Sequence, residues 1–337
     1  MGMLRGWSAR QTSRAWLAVA AMLTAACNGV DLSSTLAPAH QGPTPQNPVG
    51  TPDPGAPHSP VGTPDPGAPH NPVDSTSPSA VYLADAEGTV MGRLTDGRRP
   101  EWSPDGRKIA FECDGYVCVI DADGKNETVL APGTSPTWSP SGARIAFVNT
   151  DGICVMNADG SDVRTLLRHD FRDDTYKPWD MGVDKPAWSP NDTLIAFEHL
   201  GDGDMQPATV FLMNADGSNP RRFTHYPPPW VHTAESDPAW SPDGTRLIYW
   251  SYGYGITEAR VDDGVPQRIY QNFPLVAYGA SPSWSPDGQR ILFNTYPATG
   301  PTSAVWLQSA TGGPVPLIVN GHDARWSPDG NRIVFVR

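Results

Sequence analysis

Positive charge is scarce in this chain. Lys and Arg number 24 against 36 Asp and Glu, leaving a net charge of −12. Nucleic-acid ligands ask for a basic face, so they are not expected as partners. Cysteine is rarer still, at four residues, one of them at position 27. The other three, Cys113, Cys118 and Cys154, do not have the spacing of a zinc site. Long apolar runs are also missing; the stretch Ala15 to Ala26 is too short to span a bilayer. No Gly-x-Ser-x-Gly elbow, His-x-x-x-His pair or phosphate loop occurs. Nothing in the chain therefore calls for a catalytic metal or a cofactor, and no catalytic residue stands out.

What is abundant is one phrase, written six times. It reads Pro100-Glu-Trp-Ser-Pro-Asp-Gly, Pro136-Thr-Trp-Ser-Pro-Ser-Gly, Pro186-Ala-Trp-Ser-Pro-Asn-Asp, Pro238-Ala-Trp-Ser-Pro-Asp-Gly, Pro282-Ser-Trp-Ser-Pro-Asp-Gly and Ala324-Arg-Trp-Ser-Pro-Asp-Gly. The tryptophans lie 36, 50, 52, 44 and 42 residues apart. Ser-Pro-Asp-Gly is a turn: Pro presets φ, Asp bonds local backbone and Gly accepts a positive φ. After each turn comes an apolar strand ending in an aromatic, such as Ile109-Ala-Phe111 or Leu247-Ile-Tyr249. A third strand follows, such as Tyr116 to Ile120 or Val210 to Met213, and then a second turn such as Asn157-Ala-Asp-Gly160. A fourth strand, such as Arg221 to Thr224, closes the unit; in the fourth unit only Glu258 to Val261 reads as a weak third strand. Strand-type repeats of roughly forty residues predict an all-β, six-bladed β-propeller with four-stranded antiparallel blades.

The last phrase is followed by one strand and the end of the chain, whereas two spare strands, Ala80 to Leu83 and Met91 to Thr95, precede the first phrase. These should complete blade six and close the ring, removing open sheet edges. Closure makes blades one and six neighbours. Glu101 and Arg325 hold equivalent places, one residue before the tryptophan, and are expected to pair across that seam in the central channel.

The phrase and its following Ile-Ala-Phe strand resemble the TolB-like propeller repeat, over all six blades. Propellers of prolyl-oligopeptidase-type peptidases and of some polysaccharide lyases use the same class of repeat. The resemblance implies an envelope interaction module. No α/β domain of the TolB kind is expected ahead of the repeats, and no hydrolase domain beside them.

Three segments are expected. Residues 1–27 read as an export signal: Arg5, Arg10 and Arg14, the short apolar run, then Leu23-Thr-Ala-Ala-Cys27. This resembles a bacterial lipoprotein signal, which implies lipid on Cys27; cleavage by ordinary signal peptidase is the alternative. Asn28 after the Cys resembles the outer-membrane sorting pattern. Residues 28–79 are rich in Pro and Gly, with Asn47 to His58 nearly repeated as Ser59 to His70. Such a segment cannot pack a core and suits a disordered tether reaching on the order of 150 Å. Residues 80–337 form the propeller.

Cys113 and Cys118 flank a hairpin. In an oxidising compartment they form a disulfide if the register sets them face to face, and otherwise stay buried thiols. The Asp-Ala-Asp-Gly turns lack the ligands of a calcium loop. The six repeated serines belong to the turn.

Long connections cluster on the face where blades are joined: Arg168 to Lys185, His199 to Pro207, His225 to Asp237, Tyr252 to Gly255, Asn272 to Ser281 and Thr295 to Ser303. Function commonly sits on such loops. The candidate ligand or partner residues are therefore His169, Phe171, Tyr176, Trp179, His199, Asp202, His225, Tyr226, Trp230, His232, Glu235, Tyr252, Tyr254, His322 and Asp323. Aromatics mixed with acids suit a protein, peptide or glycan of the cell envelope. The expectation is a monomeric binding module tethered to a membrane; the alternative is a polysaccharide lyase or hydrolase using His and acid residues of this face.

Overall fold

The computed structural model describes residues 79–171, 182–200, 208–224, 234–251, 255–268, 281–295, 303–309 and 313–337. They form 24 strands in six four-stranded antiparallel sheets. β1 (Ala80–Asp85) and β2 (Val90–Asp96) come first. Blade one is β3 (Arg98–Trp102), β4 (Lys108–Cys113), β5 (Tyr116–Asp121) and β6 (Thr128–Pro132). Blade two is β7 (Thr134–Trp138), β8 (Arg144–Asn149), β9 (Gly152–Asn157) and β10 (Arg164–Arg168). Blade three is β11 (Val183–Trp188), β12 (Leu194–His199), β13 (Thr209–Asn214) and β14 (Arg221–Arg222). Blade four is β15 (Glu235–Trp240), β16 (Arg246–Ser251), β17 (Gly255–Arg260) and β18 (Pro266–Arg268). Blade five is β19 (Ser283–Trp284), β20 (Arg290–Thr295), β21 (Ala304–Ser309) and β22 (Val315–Val319). β23 (His322–Trp326) and β24 (Arg332–Val336) complete the set.

The last sheet has the order β2-β1-β24-β23, so strands from both ends of the repeat region build blade six. β1 pairs with β24 over five residues, Val81 opposite Val336 through Asp85 opposite Arg332. The ring is therefore closed by backbone hydrogen bonds. Two strands differ from their expected limits. β14 has only two residues where four were expected, and β17 begins at Gly255, well before Glu258. The second strand is masked in the sequence by Glu258, a charged residue whose carboxylate meets Arg246 Nη1 at 3.2 Å.

The Ser-Pro turn is held the same way each time. Ser103 Oγ donates to Asp105 Oδ1 at 2.7 Å and accepts from the Lys108 backbone N–H at 2.9 Å. Ser189, Ser241 and Ser327 repeat the pattern with Asn191, Asp243 and Asp329. The serine hydroxyls are thus committed to the turn. The apolar strands after them carry the core. Phe111, Phe147, Phe197, Tyr249 and Phe335 are fully buried. The core is not one central mass but clusters lying between successive blades, including one that joins Val81 and Val334 of blade six to Trp102 and Phe111 of blade one. Burying each such side chain contributes about 1.5–3 kcal/mol.

A second device joins neighbours. The arginine six residues after a tryptophan reaches over the tryptophan of the next blade: Arg144 over Trp188, Arg246 over Trp284, Arg290 over Trp326 and Arg332 over Trp102, at 4.5–4.9 Å from the ring centre. The last of these crosses the closure seam. Each such contact contributes about 0.5–2 kcal/mol. Blade three has Leu194 at this place, and Trp240 of the next blade instead donates its Nε1–H to Ala187 O at 3.0 Å.

Cys113 and Cys118 are disulfide-bonded, with Cα atoms 6.0 Å apart. Cys154 is a buried free thiol. It occupies the place of Cys118 one blade on, facing Phe147 as Cys118 faces Phe111. Among the described residues no helix is long and apolar enough to cross a membrane.

Candidate functional site

Each innermost strand begins where the chain arrives from the preceding blade and ends at the Ser-Pro turn. The residue three before the tryptophan has a left-handed backbone in every blade: Arg99 (φ 50), Ser135 (φ 52), Lys185 (φ 51), Asp237 (φ 56), Ser281 (φ 33) and Asp323 (φ 51). None is glycine, and such conformations cost of order 1–3 kcal/mol each. Strand pairing slips at the same place in blades one, two, three, four and six, as between Arg98 and Glu101 or His322 and Arg325. A bulge re-aims a side chain. Here all six left-handed residues line one cavity of about 480 Å3 in the middle of the ring.

The bulged side chains are wired to each other and to acids behind them. Arg99 Nη1 donates to Ser135 Oγ at 2.5 Å and lies 3.7 Å from Glu112 and 3.9 Å from Asp184. Ser135 in turn donates to Asp184 Oδ1 at 2.8 Å. Lys185 Nζ bridges Glu198 at 3.2 Å and Asp237 at 3.0 Å. On the other side Ser281 donates to Asp323 Oδ1 at 2.8 Å, and His322 Nδ1 lies 3.2 Å from Asp323 Oδ2. Arg325 Nε donates to Glu101 Oε2 at 3.2 Å, so the expected pair across the seam is formed.

Burial and charge compete in this ring. Burial pushes the Glu198 carboxyl up to about 7; Lys185 pulls it down, while Asp237 and Asp184 push it further up. Burial disfavours the Lys185 ammonium, but Asp237, Glu198 and Asp184 outweigh it and raise its pKa. Burial likewise opposes the carboxylate of Asp323, yet His322, Arg325 and Ser281 hold it well below the usual carboxylate range.

The residues singled out by sequence fall in several places. Asp323 lies in the ring, with His322 beside it. His169 braces a connection: the Val183 N–H donates to Nδ1 at 3.2 Å, so Nε2 carries the proton and donates to Asn149 O at 2.8 Å. Phe171 packs edge-on against Phe211 and His199. His199, expected in a loop or at a strand end of the long-loop face, and Glu235, expected on the same face, are both fully buried. The reason is that His199 is the last residue of β12 and Glu235 the first of β15, so both belong to sheets rather than loops. Glu235 accepts from the Thr224 hydroxyl and from the Val210 N–H at 3.3 Å. Tyr176, Trp179, Asp202, His225, Tyr226, Trp230, His232, Tyr252 and Tyr254 lie outside the described residues, as does Cys27. Among the described residues, no three His, Cys, Asp or Glu side chains converge as a metal-holding group. Arg99, Lys185 and Glu198 were not singled out by sequence. A usable signal was present, since the residue before Pro-x-Trp is polar or charged in all the Pro-containing copies.

Comparison with known proteins follows the same lines. The sequence matches the TolB beta propeller domain over residues 114–337. The chain belongs to that family. A protein assigned as TolB in Agrobacterium tumefaciens superposes with a TM-score of 0.62 at 22% identity, covering 77% of this chain and 97% of that one. TolB from Acinetobacter baumannii superposes at 0.50 with 13% identity, and the match covers 77% of this chain but 63% of that protein. Both likenesses show the fold. An oligogalacturonate lyase of Dickeya dadantii is 37% identical over 73 residues, which is 21% of this chain and 18% of the enzyme.

Proposed function

We propose that this protein is an exported, lipid-anchored propeller that binds an envelope protein, peptide or glycan through the face carrying its long connections. The anchor is Cys27, residues 28–79 are the tether, and the site lies on the periplasmic side of the outer membrane or at the cell surface. The observation that carries the reading is the placement of the bulged, charged ring at the ends of the innermost strands that meet those connections. A rigid closed scaffold with charged groups at one mouth, and a sequence with Trp179, Trp230, Tyr176 and Tyr226 in the segments before β11 and β15, suits recognition rather than turnover. The disulfide fits an oxidising compartment. Capture from envelope extract by the full chain, compared with a Trp179→Ala, Trp230→Ala variant, tests the face. A partner held by the first and lost by the second supports it; equal capture overturns it. Cys27→Ser should move the protein from membrane to soluble fractions, and unchanged membrane association would remove the anchor.

The short likeness to the lyase favours a second reading, in which the same face cleaves acidic glycans. Release of unsaturated fragments from oligogalacturonate by the purified chain would promote it. The engagement of His169 and the burial of His199 speak for the binder.

A further inference from the structure

The channel ring has an order that a generic binding face does not need. Blades one to three contribute Arg99, Ser135 and Lys185; blades four to six contribute Asp237, Ser281 and Asp323. Read around the ring, this is cation, hydroxyl, cation, then acid, hydroxyl, acid. Blade one stands opposite blade four and blade three opposite blade six. Each cation therefore stands across the lumen from an acid, and each serine across from the other serine. The charges of these six residues sum to zero, yet they are segregated into two halves; Glu101 of blade one and Arg325 of blade six, which also line the cavity, pair with each other and add no net charge.

Such a ring makes a field across the channel rather than a net potential along it. A lone cation or anion gains on one side what it loses on the other. A small molecule with both charges, held apart, gains on both sides. Low-dielectric walls strengthen that match, and charge-assisted hydrogen bonds would fix the orientation. We propose that the channel ring is a binding site for a compact zwitterion of the α-amino-acid class, its carboxylate toward Arg99 and Lys185 and its ammonium toward Asp237 and Asp323.

Lys185 and Asp237 pair with each other at 3.0 Å where the two halves meet, so the zwitterion joins or opens that ion pair, while Arg99 and Asp323 face the lumen from either side. Among the described residues, the contacts of Arg99 with Ser135, Glu112 and Asp184 all run through Nη1. The side chains of Arg99, Lys185, Asp237 and Asp323 are 40%, 28%, 12% and 19% exposed, so each reaches the lumen. Carboxylate oxygens accept more than one hydrogen bond, so Asp323 retains capacity beyond Ser281 and His322. The cavity, at about 480 Å3, is of ligand size. Six strained backbones set in one ring are the kind of cost retained at binding sites.

The test is calorimetric titration of the full chain with the standard L-α-amino acids one at a time. The tightest binder is then repeated as its N-acetyl derivative, which lacks the ammonium, and as its carboxamide, which lacks the carboxylate. The proposal expects one or more amino acids to bind, with each derivative at least about tenfold weaker. Arg99→Gln and Asp237→Asn should each weaken binding by a similar factor, with unfolding curves confirming that both variants fold. Arg164→Gln, on the outer strand β10, should change nothing. Dissociation constants all weaker than about 1 mM would overturn the proposal. So would derivatives that bind as well as the parent, or binding indifferent to both ring variants. The result is independent of whether an envelope partner is captured.

Discussion

The two ends of the innermost strands differ in kind. At the turn end the same side chains make the same bonds: serine to the next strand, aspartate or its substitute to serine. At the entry end the backbone is repeated, with a left-handed residue three before each tryptophan, but the side chains are not: Arg, Ser, Lys, Asp, Ser, Asp. One end repeats chemistry and geometry together. The other repeats geometry and varies chemistry. Repetition of both is what a closed frame needs, since each blade meets its neighbour in the same way. Constant geometry with varied chemistry is what a site needs, because a ring of identical groups would carry no direction.

The largest expected effect breaks the frame. Deleting residues 80–97 removes β1 and β2, leaving β24 with an open edge and taking Val81 and Leu83 from the seam core. The truncated chain should lose its single cooperative unfolding transition, because the core lies between blades and every blade depends on two neighbours. A truncated chain that melts like the intact one would mean that the frame does not rely on closure.

The next effect separates frame from ring by sign. Burial raises the Glu198 carboxyl to about 7 from an unfolded value near 4.5. Across that window the native state holds a proton that the unfolded state has released. Stability should therefore fall as pH rises from about 4.5 to about 7, by on the order of 2–3 kcal/mol, and level off above. Glu198→Gln should flatten that slope. Denaturant titrations at several pH values would show it, and an unchanged slope in the variant would assign the titration elsewhere. An acid behind the ring that costs stability at neutral pH is the opposite of a frame residue.

Blades one and two offer a smaller contrast within the frame. Their third strands are alike, but only blade one carries a disulfide, Cys113 to Cys118. Closing so short a loop contributes about 2 kcal/mol. The Cys113→Ser, Cys118→Ser variant should lose about that much in chemical denaturation, while reduction should leave that variant unaffected. Equal stability of the parent with and without reductant would show that the bond adds nothing to the frame.

The frame was legible in the sequence because its signals are local. Turn chemistry, strand alternation and the spacing of Trp102, Trp138 and their successors need no knowledge of distant residues. Closure by β1 and β2 was legible as a count of missing strands. The ring was legible only in fragments, Asp323 and the Glu101–Arg325 pair, for two reasons. The bulge that turns Lys185 and Asp237 into the lumen is a backbone event, and in sequence both residues simply look like the ends of long connections. The acids behind them, Glu112 and Glu198, sit in apolar strands where a charge reads as an irregularity rather than a partner. The burial of His199 and Glu235 was hidden in the reverse direction: the strands reach further than their apolar pattern.

The smallest expected effect lies where frame and ring meet. Glu101 and Arg325 face each other one residue before the tryptophans of blades one and six. Their contact spans the closure seam, so it could be a clamp of the frame or a feature of the channel. Both side chains are about one-third or less exposed, 33% for Glu101 and 26% for Arg325. Arg325 is also held independently, donating through Nη1 to the Ser281 and Ala324 carbonyls at 3.1 Å. Its position therefore does not depend on Glu101. Burial pushes the Glu101 carboxyl up in spite of Arg325, so the pair is partly desolvated; with its arginine pre-placed, its coupling should be about 1 kcal/mol, at the top of the surface range and well below that of a fully buried pair. Glu101→Ala, Arg325→Ala and the double variant, compared by denaturant unfolding, measure that coupling directly. Arg325→Ala alone should cost more than Glu101→Ala, because it also strips two carbonyls of their donor. A coupling above about 3 kcal/mol would place the pair among desolvated ion pairs and make it a clamp of the ring closure.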